Sequence, residues 1–408
     1  MYNNHERHEA DQNDRNIEVS IIIPSFNKYP LNLFTLYSLE LQTIDPSKLE
    51  VILIDDGSTD QTSKSLQNYN PPYHFYHIRN QQNKGRSAVR NIGIKAARGN
   101  ILIFLDAEMI TEPDFVMNHL KYHQDKNNVV ATGFMHSKPV YTCAFPDFSS
   151  KTMNRIAALS NNKLKQNVKE PYPLIRLKDI SSGAYKKFAL KTFPWFRNII
   201  SNYNANLEGF EFPWMAFITG NVSIRKQLVE QAGYFDEDFV NYGYEDWELG
   251  YRLSKLGAKF MIGRDLGAYH QEHPVSENKW KEAVGNYGLF TIKHFEVETL
   301  ILSLELSHFV DLIGVNDILK EYKLLIKTEP QKFADFQERF MAILETINLF
   351  LHSDIRPLNI LGATGFGTEH VKALSEDIIS LKHLGVYRSL VNFLESLMHS
   401  KSAIAGVE

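Results

Sequence analysis

Val51-Ile52-Leu53-Ile54-Asp55-Asp56-Gly57-Ser58 is the stretch on which the fold turns. Four consecutive apolar residues, three of them β-branched, stop at two carboxylates and a glycine. A short apolar run bounded by turn residues is the pattern of a strand covered on both faces, as in a parallel sheet. Upstream, Val19 to Ile23 has the same character and ends at Pro24. Downstream, a strand is expected over His74 to Ile78, and Ile101 to Leu105 is another buried one that ends at Asp106. Between them, Leu33, Leu36, Tyr37 and Leu41 recur at helical spacing over Leu31 to Leu41. Thr59-Asp60 opens a helix through about Asn68, and Ser87 to Ala97 forms another, stopped at Gly99-Asn100. Strand and helix alternate, which predicts an α/β fold with a doubly wound sheet.

In such sheets ligands bind beyond the carboxyl ends of the strands. Three of these ends carry groups capable of chemistry: Pro24-Ser25-Phe26-Asn27, Asp55-Asp56-Gly57-Ser58 and Asp106-Ala107-Glu108. Asp55 and Asp56 alone suit a turn or a helix cap as readily as a site. Asp106 and Glu108 point the same way if the chain stays extended. Two converging carboxylates repel unless a cation joins them, and oxygen ligands of this kind suit Mg²⁺ or Mn²⁺. No glycine-rich phosphate loop is present, so a divalent metal is expected to hold phosphates instead.

The 408 residues are 43% apolar and 23% charged, which excludes whole-chain disorder, collagen and coiled coil and fits two or three domains. A net charge of −4 gives no case for nucleic-acid binding. The one cysteine, Cys143, excludes an intrachain disulfide framework and fits a reducing compartment. No apolar run approaches the length of a membrane span, and the N-terminus lacks a signal-peptide core. A cytoplasmic protein is expected, with peripheral contact at the inner face of the membrane as an alternative. The chain divides into a mobile polar tail (1–17), an α/β half (18–130), a second half with weaker periodicity (131–280) and a helical C-terminal domain (281–408). Residues 148–203 form an insertion with eleven basic residues opposed by Glu170 and Asp179 alone, read as a surface for an acidic partner or a solvated loop. The C-terminal helices, with stripes such as Leu300, Leu304 and Phe309, Leu312, are a packing domain or a homodimer interface.

A second block of motifs runs from Phe217 to His273. It holds Thr219-Gly220-Asn221-Val222-Ser223, Gly233-Tyr234-Phe235-Asp236-Glu237 and Tyr242-Gly243-Tyr244-Glu245-Asp246-Trp247. A helix opening with acids complements the macrodipole. Asp246 also leads the stripe Leu249, Leu253 and Leu256, which puts its carboxylate on the inward face at a helix start.

Val19–Asn27, Ile54–Asp60, Asn83–Asn91 and Phe104–Glu108 together resemble the inverting family-two glycosyltransferases with the GT-A fold. Four motifs in order over residues 18 to 275, with the second block, carry the likeness. The second block resembles the acceptor half shared by β-1,4-galactosyltransferases and chondroitin-type polysaccharide polymerases. The resemblance implies an inverting transferase that moves a sugar from a UDP-sugar to an acceptor hydroxyl of a glycan or lipid-linked saccharide. It implies nucleotide-sugar contacts at Pro24, Ser25, Asp56, Lys84, Arg86 and Asp106. Metal ligation is implied at Asp106, Glu108 and His270, with His273 as substitute. The implied catalytic pair is Asp246 as base with Glu245, and the implied acceptor contacts are Trp214, Gly220, Asn221 and Trp247. Glu108 stands where the family more often has Asp. A peptide acceptor, a nucleotidyltransferase and a non-catalytic glycan-binding module on the same fold are the competing readings.

Overall fold

The described residues form twelve strands with helices between them, and four of the strands lie at the apolar runs read as strands. The structure, a computed structural model, describes residues 16–160, 168–191, 197–353, 355 and 359–402. Most of the expected tail, Lys163 and Lys165 of the basic insertion, and its aromatic residues Phe193, Trp195 and Phe196 lie outside the described residues. The first strands are β1 (Val19–Ser25), β2 (Leu49–Asp55), β3 (His74–Arg79), β4 (Ile101–Leu105), β5 (Met109–Ile110) and β6 (Val129–Thr132). The later ones are β7 (Lys138–Val140), β8 (Cys143–Ala144), β9 (Tyr172–Pro173), β10 (Asn221–Arg225), β11 (Lys259–Ile262) and β12 (Tyr269–Gln271).

Seven of them form one mixed sheet in the order β11-β6-β10-β4-β1-β2-β3. β1 pairs in parallel with both β2 and β4, and β2 with β3. β10 runs antiparallel between β4 and β6, joining a strand more than a hundred residues downstream to the N-terminal half. The expected strands β1 to β4 are all present, and β2 is buried along its whole length, as a two-sided apolar run requires. A second sheet, β5-β12-β7, brings the chain around Tyr269–Gln271 beside Met109–Ile110. The helix Arg86–Ala96 lies close on β1 and β2. A Cβ at Gly93 would sit 2.5 Å from the Ile22 side chain, so glycine permits this approach. That packing sends the helix N-terminus toward the carboxyl ends of the strands.

The stretch after residue 134, where periodicity fades, is folded in its described parts rather than a solvated loop. Ile156, Ile175, Ile180, Tyr185 and Phe188 join Ile110, Val140 and Tyr269 in a separate apolar cluster. The described basic side chains of the insertion, Lys151, Arg155, Lys169, Arg176, Lys178, Lys186, Lys187 and Lys191, are exposed.

The chain forms two compact units, residues 1–208 with 213–279, and residues 209–212 with 280–408. The second unit is helical, with Leu312–Thr328, Ala334–His352, Thr368–Leu384 and Arg388–Ser402 as its long helices. Phe333, Phe336 and Phe340 are buried within it. The stripe read through Leu300 to Leu312 is broken: Leu300 and Leu304 are buried, while Phe309 is exposed beyond a turn with His308 at φ 59°. No described helix is long and apolar enough to cross a membrane.

Candidate active site

The carboxyl ends of β1 and β2 are braced before they can bind anything. Asp55 is fully buried and accepts hydrogen bonds from the Ser58 N–H (2.8 Å) and the Ser63 hydroxyl (2.7 Å). Burial opposes its ionisation, but hydrogen bonds from His77, Ser58 and Ser63 outweigh it and hold Asp55 well below the usual carboxylate range. Asp55 is thus the turn-forming member of the pair. Asp56 accepts from the Asn80 amide (2.8 Å) and from the backbone N–H groups of Lys84 (3.0 Å) and Gly85 (3.1 Å). Its carboxylate therefore shapes the loop that starts the Arg86–Ala96 helix. Lys84 is exposed, and its backbone makes this contact. Pro24 is half-buried at the end of β1. Ser25 is buried, and its hydroxyl accepts from Asn32, so its side chain faces a helix, not the cleft.

Asp106 and Glu108 part company. β4 ends at Leu105, and the Met109 N–H donates to the Asp106 carbonyl (3.1 Å), so the two residues sit in a turn rather than on an extended strand. Of the expected trio Asp106, Glu108 and His270, the structure groups Glu108 and His270 with the substitute His273. One ligand atom each from Glu108, His270 and His273 lies within 4.8 Å of the others, and Asp106 is outside that group. One carboxylate oxygen and two imidazole nitrogens fit a transition metal such as Mn²⁺ better than an all-oxygen set would. Glu108 is 8% exposed. Burial works against its ionisation, but Lys28, His273 and His270 outweigh it and hold it down at about 2. The His270 Nδ1 lies 3.0 Å from Glu272, an outer carboxylate of the kind that orients a ligand histidine.

Asp106 instead faces Arg90. This arginine is 1% exposed; its guanidinium lies 3.0 Å from Glu245 Oε1 and 3.9 Å from Asp106 Oδ1. It joins the end of β4 to the start of the helix Glu245–Lys255. Glu245 is buried, and its second oxygen has no hydrogen-bond partner. Asp246, half-buried beside it, accepts from the Trp247 N–H (2.9 Å) and the Thr219 N–H. Burial and the neighbouring Glu245 charge push Asp246 up to about 7. Gly243 and Tyr244 precede the helix in the left-handed region, at φ 93° and 68°, and turn the chain so that both acids lead it.

Arg86 sits 5.2 Å from the centroid of the Tyr242 ring, and the Lys279 ammonium sits 4.0 Å from the same ring. Arg86 is exposed; desolvation by its surroundings works against its charge, but the fields of Glu245, Asp106 and Glu108 outweigh it and strengthen the charge. The structure places three of the expected acceptor contacts in packed surroundings. Trp214 is 2% exposed, set edge-on to Trp247 and Tyr251. Asn221 lies in β10 with its amide bonded to the Leu266 carbonyl (2.7 Å) and to His119 (3.0 Å). Gly220 is buried where a Cβ would come within 2.9 Å of Asp106 Oδ2, so glycine permits this close approach. Trp247 keeps a partly open face. Lys28, Arg90, Tyr242 and Lys279 were not singled out from sequence. Arg90 had a signal: it follows Arg86 by four residues, on the same helix face.

The model of glycosyl transferase family 2 matches residues 20–190, and that of the N-terminal domain of galactosyltransferase matches residues 202–273. The uncharacterized glycosyltransferase YfnE of Bacillus subtilis is 30% identical over 335 residues, 81% of this chain and 84% of that protein. The chondroitin synthase of Escherichia coli is 30% identical over 273 residues, and the match spans 65% of this chain but 36% of that enzyme. Among solved structures, a mannosyltransferase from Pyrobaculum calidifontis superposes with a TM-score of 0.45 at 14% identity, covering 94% of this chain and 86% of its own.

Proposed function

Because the chain belongs to glycosyl transferase family 2, we propose that it moves a sugar, with inversion, from a UDP-sugar to a hydroxyl of a saccharide or lipid-linked saccharide. The observation that carries the chemistry is Asp246, a carboxyl raised to about 7 at a helix start beside the buried Glu245. A general base works best when its pKa lies near the working pH. Asp246 takes the proton of the acceptor hydroxyl as that oxygen bonds to the anomeric carbon. The bond from that carbon to the diphosphate breaks on the opposite face, and its electron pair leaves on the phosphate oxygen. Glu245, oriented by Arg90, holds a sugar hydroxyl. Arg86 and Lys279, cations drawn to the Tyr242 ring, face the charge gathering on the leaving diphosphate. Glu108, His270 and His273 would hold a divalent ion, Mn²⁺ or Mg²⁺, which supplies further charge neutralisation at the diphosphate. Residues 18–130 serve the nucleotide and 131–280 the acceptor. The donor is read as UDP-linked from the galactosyltransferase-like half.

The test is a panel of nucleotide sugars scored for metal-dependent hydrolysis and then transfer, run on the native chain and on Asp246→Asn. Removing the base is expected to lower turnover by roughly 10²–10⁴-fold, with UDP affinity unchanged. Turnover at the native rate in Asp246→Asn would falsify the assignment of the base. Hydrolysis of no nucleotide sugar by the native chain would favour the glycan-binding reading.

A further inference from the structure

Lys28 stands inside the cluster assigned above to the metal. Its ammonium is 2.8 Å from Glu108 Oε1 and 2.9 Å from His273 Nε2, atoms of two of the three candidate ligand residues. Its side chain is 20% exposed. The direction of this side chain is set by the backbone. Asn27, next to it, holds φ 53°, in the left-handed region that Asn tolerates. The Asn27 N–H donates to the Ser58 hydroxyl (2.9 Å), and its side-chain oxygen accepts from the Thr59 N–H (2.8 Å). On the other side of Lys28, the Tyr29 N–H donates to Asp60 (2.8 Å). The loop after β1 is therefore tied to the loop after β2 on both sides of Lys28.

We propose that Lys28 is the resident counter-cation of this cluster and that a divalent ion has to displace its ammonium in order to bind. This inference rests on the metal reading of Glu108, His270 and His273. A buried carboxylate with no cation beside it is costly, and Lys28 supplies the cation whenever no metal ion does. A metal ion bonds carboxylate oxygen and imidazole nitrogen at about 2.0–2.2 Å. Contacts that short to Glu108 Oε1 and His273 Nε2 leave no room for an ammonium hydrogen-bonded to the same two atoms. The like charges also repel at that range. Lys28 is thus a positioning residue that sets how tightly the site takes its metal. The displaced ammonium keeps its charge and its tether beside the cluster, where an incoming diphosphate can receive it. Metal and nucleotide then favour each other's binding more strongly than they would without it.

The experiment measures free Mn²⁺ by electron paramagnetic resonance in titrations of the full chain, with and without UDP. The proteins compared are native, Lys28→Met, Lys28→Arg and Glu108→Gln, with thermal melting as a check of folding. Without UDP, Lys28→Met is expected to bind Mn²⁺ about tenfold more tightly than native, in line with the loss of one competing charge at this range. Lys28→Arg, which keeps the charge, should show no such gain. UDP should strengthen Mn²⁺ binding less in Lys28→Met than in the native chain. Lys28→Gln replaces the methionine variant if that one does not fold. Equal or weaker Mn²⁺ binding by the uncharged variant, with Glu108→Gln binding lost, overturns the role of Lys28 alone. Native-like Mn²⁺ binding by Glu108→Gln, or no binding by any variant, removes the metal site from the proposed function and this inference with it.

Discussion

At Asp246 two influences decide what the carboxyl can do. Burial and the adjacent Glu245 charge raise it from an ordinary 3.8 to about 7, while Arg90 and two backbone N–H groups hold it back from rising further. Only the ionised form can accept a proton. The ratio kcat/KM is therefore expected to climb tenfold per pH unit below about 7 and to level off above it. A pH profile of transfer checks this, and a limb centred near an ordinary carboxyl value would count against Asp246 as base. The same shift has a stability sign. The folded chain keeps a proton that the unfolded chain releases between pH 3.8 and about 7, so this residue lowers stability as pH rises through that window. A residue of this kind is half legible in sequence. Its place at the front of an apolar helical stripe can be read from spacing. Its raised pKa depends on Glu245 beside it and on the cleft around it, which spacing does not reveal.

At the scale of elements, what could be read and what could not follow from one physical difference. Strands β1, β2 and β4 are covered on both faces, so their apolar residues are consecutive and visible. The cluster built from Ile156, Ile175, Ile180, Tyr185 and Phe188 is as well buried, but its members arrive singly on short segments, with no period to detect. The divergence of Asp106 from Glu108 is not legible in sequence, because the chain turns one residue after Leu105 instead of continuing as a strand. Arg90 shows in sequence only through its spacing from Arg86; hydropathy places arginine outside, while here a buried acid pairs with it. The helix Glu245–Lys255 depends on a close approach at Gly250, where a Cβ would fall 2.5 Å from the Trp214 carbonyl and 2.9 Å from the Phe217 Cβ. Gly250→Ala has to push the helix away. It should cost about 1–3 kcal/mol in a denaturant titration and lower kcat more than UDP affinity, because the acids at the helix start move with it. Unchanged stability and turnover would show that the contact is slack.

At the scale of the whole molecule, the two units are interleaved along the chain. Residues 209–212 belong with 280–408, although 213–279 return to the sheet-bearing unit. The short segment is held within the helical unit: the Glu211 N–H donates to Asn316 (2.8 Å), and Lys323 pairs with the Glu211 carboxylate (2.9 Å). A chain cut after residue 279 keeps every residue of the candidate site but leaves Phe210 and Phe212, both buried in the full chain, without the unit they belong to. Such a truncation is expected to give a lower melting temperature and a lower soluble yield than the full chain. Equal stability by calorimetry would show that the segment contributes nothing. The antiparallel β10 sets a second constraint, this time on the order of events during synthesis. The gap between β4 and β6 in the main sheet is filled by residues 221–225. A nascent chain that has emerged only through β6 presents two strand edges with nothing between them, and exposed edges invite pairing with the wrong partner. The long intervening stretch must reach the solvent before the sheet can close, so chaperone demand should fall on that interval of translation and ease once β10 has left the ribosome.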